Sequence, residues 1–174
     1  MKGLTEFNAL SLDAARDALL GCCASPVWAR AVAAARPFAN WDALLERARA
    51  DWEAVDDDER LTAFAAHPLI GDVELLRERF NRSGDRANAE QGQVLDADDS
   101  VLVDLARLNV EYRERHGFIF IIFAHGKSAR EMRDTLRERL PRSTQSEIIA
   151  AAREQMQITE LRLRALLAAA SQGQ

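Results

Sequence analysis

One stretch of this chain reads as extended and has nothing to pair with. Phe118-Ile119-Phe120-Ile121-Ile122-Phe123 is apolar with a β-branched centre, the pattern of a segment buried on both sides. No similar run stands elsewhere in the sequence, so a sheet lacks its second strand and the expected fold class is all-α. Composition agrees, since Ala and Leu supply 52 of 174 residues while Gly and Pro together supply 12. A chain of 174 residues suffices for one sizeable core. The expectation is a single domain over 1–174, a helical bundle of about eight helices with one short extended segment near 118–124.

Helix start signals divide the rest of the chain, with no composition shift that would mark a linker. Ser11 predicts a cap for a helix from Leu12 to about Cys22, with Leu12, Ala15, Leu19 and Cys22 on one side. Ser25 followed by Pro26 predicts another helix through Ala35, because proline suits the first helical position. Asn40 opens the next, carrying Trp41, Leu44, Leu45, Ala48 and Trp52 at helical spacing. Asp56, Asp57, Asp58 and Glu59 crowd a further start, where negative charge suits the helix dipole. After Ala66, Pro68 biases His67 out of the helical region and Gly71 relaxes the backbone again. A helix over about Val73 to Phe80, a loop over Asn81–Asn88 and a short helical piece around Ala89–Val94 are expected to follow. Asp98 predicts the cap of a long helix with Val101, Leu102, Leu105, Leu108 and Tyr112 inward, ending near Gly117. Ser128 with Glu131, and Thr144 with Glu147, each read as a capping box, for helices reaching Leu140 and about Ala170.

Charge and short motifs exclude several classes of function. The 23 basic and 28 acidic side chains leave a net charge of −5, and the arginines are scattered, which disfavours nucleic acid. The longest apolar run, Phe118–Ala124, is far shorter than the roughly 20 residues that span a bilayer. The start of the sequence has no apolar h-region, so a cytoplasmic location is expected. Cys22 and Cys23 are adjacent in an apolar helical context, where a disulfide framework and a cysteine zinc site are both excluded, and core filler is the expectation. Gly126-Lys127-Ser128 lacks the first glycine of a phosphate loop, because position 121 is Ile. Asp96, Asp98 and Ser100 resemble the start of a calcium loop, but the sixth and twelfth positions are Val101 and Arg107. The three histidines show no metal-ligand spacing, so no metal is expected. His116 near a helix end and His125 beside Gly126 read most simply as solvent-facing or dipole-satisfying groups.

Two side chains invite chemistry. His67 is an ionisable ring held by Pro68 at a helix exit, where carbonyls favour its protonated form, so it is placed either to donate a proton or simply to bond a backbone carbonyl. Arg162 has Ile158, Ala165, Leu166 and Ala169 on its helical face, whereas Arg164 has Glu160 one turn away. An inward arginine without a partner suits an anionic or carbonyl-rich ligand; the other reading is a side chain snorkelling along an apolar face.

Taken in order, His67-Pro68-Leu69-Ile70-Gly71-Asp72, Ala87-Asn88-Ala89-Glu90-Gln91, the stretch Gly117-Phe118 through Ala124-His125-Gly126-Lys127-Ser128, and Ile158-Thr159-Glu160-Leu161-Arg162-Leu163 resemble the motifs of the 2-oxo-4-hydroxy-4-carboxy-5-ureidoimidazoline (OHCU) decarboxylases. Phe7-Asn8 and Arg36-Pro37-Phe38 match that family's early landmarks. The resemblance implies an all-α, cofactor-free enzyme of urate degradation that converts OHCU to (S)-allantoin with loss of CO2, acting on this small molecule as a homodimer. It implies that His67 is the catalytic acid, Pro68 a substrate contact, and Glu90 and Gln91 polar substrate ligands, with Glu90 also catalytic. Ala87, Asn88 and Ala89 belong to the same substrate-binding stretch, Arg162 to the basic clamp, and Phe120, Ile121, Ile122, Phe123 and Ala124 to the segment whose backbone lines the pocket. The family usually has Ser three residues before the Glu, and here that position is Ala87. Other readings are a non-catalytic helical binding protein of the same fold and a decarboxylase of a related ureido acid.

Overall fold

The computed structural model describes residues 2–68 and 94–170, with side chains placed at 3–68 and 99–168. The described residues form eight helices and no strand: α1 (Lys2–Ala9), α2 (Leu12–Cys22), α3 (Pro26–Ala34), α4 (Trp41–Ala54), α5 (Asp57–Ala65), α6 (Val94–His116), α7 (Ala129–Arg139) and α8 (Thr144–Ala170). The all-α expectation is met. The helix expected over 73–80, the loop over 81–88 and most of the helical piece at 89–94 lie outside the described residues. The chain divides into two compact units, one drawn from Met1–Ala66 and Ala152–Gln174, the other from His67–Ala151.

In the first unit the expected helix starts at Ser11, Ser25 and Asn40 are in place, and Asp56, expected only as charge suited to the helix dipole, is a cap as well. Ser11, Ser25, Asn40 and Asp56 each accept the backbone N–H three residues on, so α2 to α5 begin where short polar side chains satisfy an orphan donor. Glu59 does more than favour the dipole of α5: it accepts from the Ser25 hydroxyl at 2.7 Å and the Val27 N–H at 2.9 Å, tying α5 to the start of α3. Helices α2, α3 and α4 pack in succession. Alanines at 29, 33 and 48 are fully covered and allow Trp28 to sink between the helices, its indole N–H donating to the Ala48 carbonyl at 2.9 Å. Leu12 departs from expectation: Ala15, Leu19 and Cys22 are buried, while Leu12, at the first position of α2, is 52% exposed.

The early landmarks Phe7-Asn8 and Arg36-Pro37-Phe38 lock onto one another. Asn8 donates to the Phe38 carbonyl at 2.8 Å and accepts the Phe38 N–H at 3.0 Å. Arg36 donates to the carbonyls of Phe7 and Leu10, each at 2.8 Å, satisfying acceptors left open at the end of α1. These landmarks are a latch between chain segments.

Cys22 and Cys23 are free and buried, as their apolar setting predicts. Burial pushes the Cys22 thiol up to about 11 and the Cys23 thiol up to about 12. Both lie above the ~8.5 of an exposed thiol, so the folded chain holds these protons more tightly than the unfolded one. Their contribution to stability is complete below pH ~8.5 and is lost as the pH rises through the folded values. A thiol reagent at pH 8 should label neither cysteine in the native protein and both after denaturation; rapid native-state labelling would contradict the burial.

In the second unit, α6 packs on α7. Val101, Leu102, Leu105, Leu108 and Tyr112 are buried as expected. The helix already runs at Val94, so Asp98 lies inside it and is not its cap; good helix formers such as Leu95 and Ala97 carry it through. It ends where expected, with Gly117 at φ 81° donating its N–H to the Arg113 carbonyl at 2.9 Å, a left-handed closure that favours glycine. His116 is not solvent-facing: it is buried against Tyr112, its ring nitrogens lying 3.2 Å from the Thr144 hydroxyl and 3.1 Å from the Leu140 carbonyl. The Ser128–Glu131 capping box forms, and the Ser128 N–H and hydroxyl hold the Glu131 carboxyl below its ordinary value. The Thr144–Glu147 box does not form. Ser143, one residue earlier, accepts the Ser146 N–H at 3.2 Å, which leaves Thr144 helical and frees Glu147 for the interior.

Candidate active site

The segment after α6 is the centre of the second unit's polar architecture. Phe118, Phe120, Ile121 and Ile122 are buried and Ile119 and Phe123 half-buried, so most of the apolar run is covered. Three of its carbonyls are taken. Arg139 donates from Nη1 to the Ile121 carbonyl at 3.0 Å, the Lys127 ammonium to the Phe123 carbonyl at 3.0 Å, and the Lys127 N–H to the Ala124 carbonyl at 3.2 Å. Gly126 at φ 74° makes the turn that brings Lys127 back. Among the described residues, the N–H groups of Ile121, Ile122 and Ala124 have no acceptor. A stretch of backbone with several acceptors consumed and several donors spare is suited to hold developing negative charge.

Arg139 and Glu147 fix that stretch. Glu147 is fully buried and Arg139 is 4% exposed, and Arg139 Nε donates to Glu147 Oε2 at 2.8 Å. The Tyr112 hydroxyl donates to the same oxygen at 2.7 Å, and Arg142 lies 3.7 Å from the other. Burial first, then the bond to the Glu147 carboxylate, pushes the Tyr112 phenol far above its ordinary value. The Arg139 guanidinium stacks 4.7 Å from the Phe120 ring centre, and Tyr112 meets Phe118 and Phe120 edge-on. Sequence reasoning missed this pair. A signal existed: Arg139 lies in phase with Met132 and Leu136, the buried stripe of α7, as an arginine on an apolar face.

The expected site residues distribute as follows. His67 is half-buried and Pro68 exposed, following the Ala66 cap of α5, and His67 falls with Phe120–Ala124 in the second unit. Arg162 falls in the first unit. Ala87, Asn88, Ala89, Glu90 and Gln91 lie outside the described residues. The inward arginine expected at 162 needs correcting. The buried stripe of this part of α8 is Gln155, Thr159, Leu163 and Leu167, and Arg162 stands beside it, exposed, with Nη1 donating to the Cys22 carbonyl at 3.1 Å. That carbonyl at the end of α2 anchors the guanidinium, and its other N–H groups have no partner among the described residues. Arg164 pairs with Glu160 at 3.0 Å, as its spacing predicts, and stacks 4.6 Å from the Trp41 ring centre. Glu160 also takes Arg49 at 2.9 Å. His125 is exposed. Among the described residues no group of His, Cys, Asp and Glu could hold a metal ion.

The chain is similar to helical decarboxylases in both fold and sequence. It aligns over 87% of its length, and 98% of the other chain, with the crystal structure of OHCU decarboxylase in the presence of (S)-allantoin, at a TM-score of 0.69 and 35% identity. The sequence profile described as OHCU decarboxylase matches residues 8–164, and the chain belongs to that family. It is 31% identical to the 2-oxo-4-hydroxy-4-carboxy-5-ureidoimidazoline decarboxylase of Mus musculus, over 84% of this chain and 82% of that protein. It is 33% identical to the uric acid degradation bifunctional protein TTL of Arabidopsis thaliana over 88% of its own length, but spans only 48% of that relative.

Proposed function

We propose that the protein, as one catalytic domain over 1–174, converts OHCU to (S)-allantoin and CO2. The observation that carries the reading is the Phe120–Ala124 segment, whose carbonyls at Ile121, Phe123 and Ala124 are occupied and whose amides at Ile121, Ile122 and Ala124 have no acceptor among the described residues. As CO2 departs, its bonding electron pair moves into the adjacent imine, the hydroxyl-bearing carbon becomes a carbonyl, and a proton must reach the ureido-bearing carbon. Amide donors stabilise the charge that develops on the way. Glu90 and Gln91 accept and donate at the ring and ureido groups, Pro68 and the 87–89 stretch complete the contact, and Arg162 clamps a planar carbonyl or carboxylate. His67 delivers the proton to one face, which fixes a single enantiomer. The family resemblance supports a homodimer, and two buried unpaired cysteines accord with the cytoplasm. No helix among the described residues is long and apolar enough to cross a membrane.

Freshly generated OHCU should disappear faster with the protein than without it, and decay at the spontaneous rate would refute the reading. Arg162→Ala should raise KM by about 10- to 100-fold, the worth of a charge-assisted hydrogen bond, because the clamp acts in ground and transition states alike. An unchanged KM would remove Arg162 from the substrate's contacts.

A further inference from the structure

We propose that Arg139 is a positioning residue for the reaction, setting the backbone of Phe120–Ala124 through one guanidinium shared between Glu147 and the Ile121 carbonyl. The inference rests on the function proposed above, since it takes the amides of that segment to face the substrate. Arg139 uses its fork in two directions at once: Nε goes to Glu147 Oε2 at 2.8 Å and Nη1 to the Ile121 carbonyl at 3.0 Å. Phe120 lies under the guanidinium plane at 4.7 Å, so two neighbouring residues of the segment are referred to a single rigid group. Glu147 is held by Tyr112 as well, which leaves Arg139 little freedom to follow the segment if it shifts. The peptide that joins Ile121 to Ile122 carries the tethered carbonyl on one side and the Ile122 N–H on the other. Because a peptide is planar, fixing that carbonyl fixes the direction of that N–H. Neither Arg139 nor Glu147 needs to touch the substrate.

Arg139→Lys keeps the charge but loses the fork, so it can hold Glu147 or the carbonyl but not both. The expected result is a fall in kcat of up to about 10²-fold, the effect of a small misplacement, with KM within about threefold of the parent. Amide chemical shifts over 119–124 should move, while those in the middle of α6 stay as in the parent. A native kcat overturns the proposal, and so do shift changes spread evenly over the described part of the second unit, which would mean support of the fold alone. If Arg139→Lys does not fold, Tyr112→Phe serves: it takes one bond from Glu147, and kcat should fall about two- to fivefold at constant KM, a native kcat again overturning the idea. An inactive parent protein sinks the proposed function, whereas an active parent with an equally active Arg139→Lys sinks this inference alone.

Discussion

Replacing His67 with glutamine should lower turnover by roughly 10²- to 10⁴-fold, the usual weight of general acid catalysis. Glutamine keeps a hydrogen-bonding group in the half-buried position that follows the α5 cap but has no proton to transfer. KM and affinity for the product allantoin should change little, because the clamp and the backbone donors remain. The split from Arg162→Ala is the informative part: one variant loses turnover at constant affinity, the other loses affinity. If the folded His67→Gln protein turns over normally and still gives one enantiomer, the proton comes from another group, and Glu90 becomes the leading candidate.

Breaking the buried pair should produce the largest change in stability. Glu147→Leu leaves the Arg139 guanidinium charged and buried without its carboxylate, and removing one partner of such a pair costs about 3–5 kcal/mol. For a chain of this length that is a fall in Tm of roughly 6–20 °C. Replacing both residues, Arg139→Met with Glu147→Leu, should recover much of the loss, since no lone charge remains. Thermal melts of the three proteins check this. A single variant within about 0.5 kcal/mol of the parent, the range of ordinary surface changes, would show that the pair is not buried as described.

The parts of this fold that were legible in the sequence are those decided by neighbours along the chain. Caps at Ser11, Ser25, Asn40 and Ser128 depend on a side chain and a backbone N–H three residues apart, so local sequence suffices. The run 118–123 was legible because continuous apolar character needs no register to be read. Where two local solutions compete, local sequence misleads: the Thr144–Glu147 pattern predicts a capping box, yet Ser143 is the cap, because Arg139 and Tyr112 take the Glu147 carboxylate. The burial of His116 likewise follows from Thr144 and Leu140, partners distant in sequence. For Arg162, helical periodicity gave the neighbours but missed the face by one position, because the buried stripe runs through Thr159 and Leu163. His67 and Arg162 stand out by their own setting, but only the motif resemblance gathers them with residues 68, 87–91 and 120–124, and no periodicity would have done so. The Arg139–Glu147 pair, which carries the segment, has no motif and was found only in three dimensions.

Circular dichroism of the product reads out stereospecific decarboxylation. Freshly generated OHCU incubated with the protein should yield optically active (S)-allantoin at a rate proportional to protein concentration. A racemic product formed at the rate of the protein-free control would contradict the account.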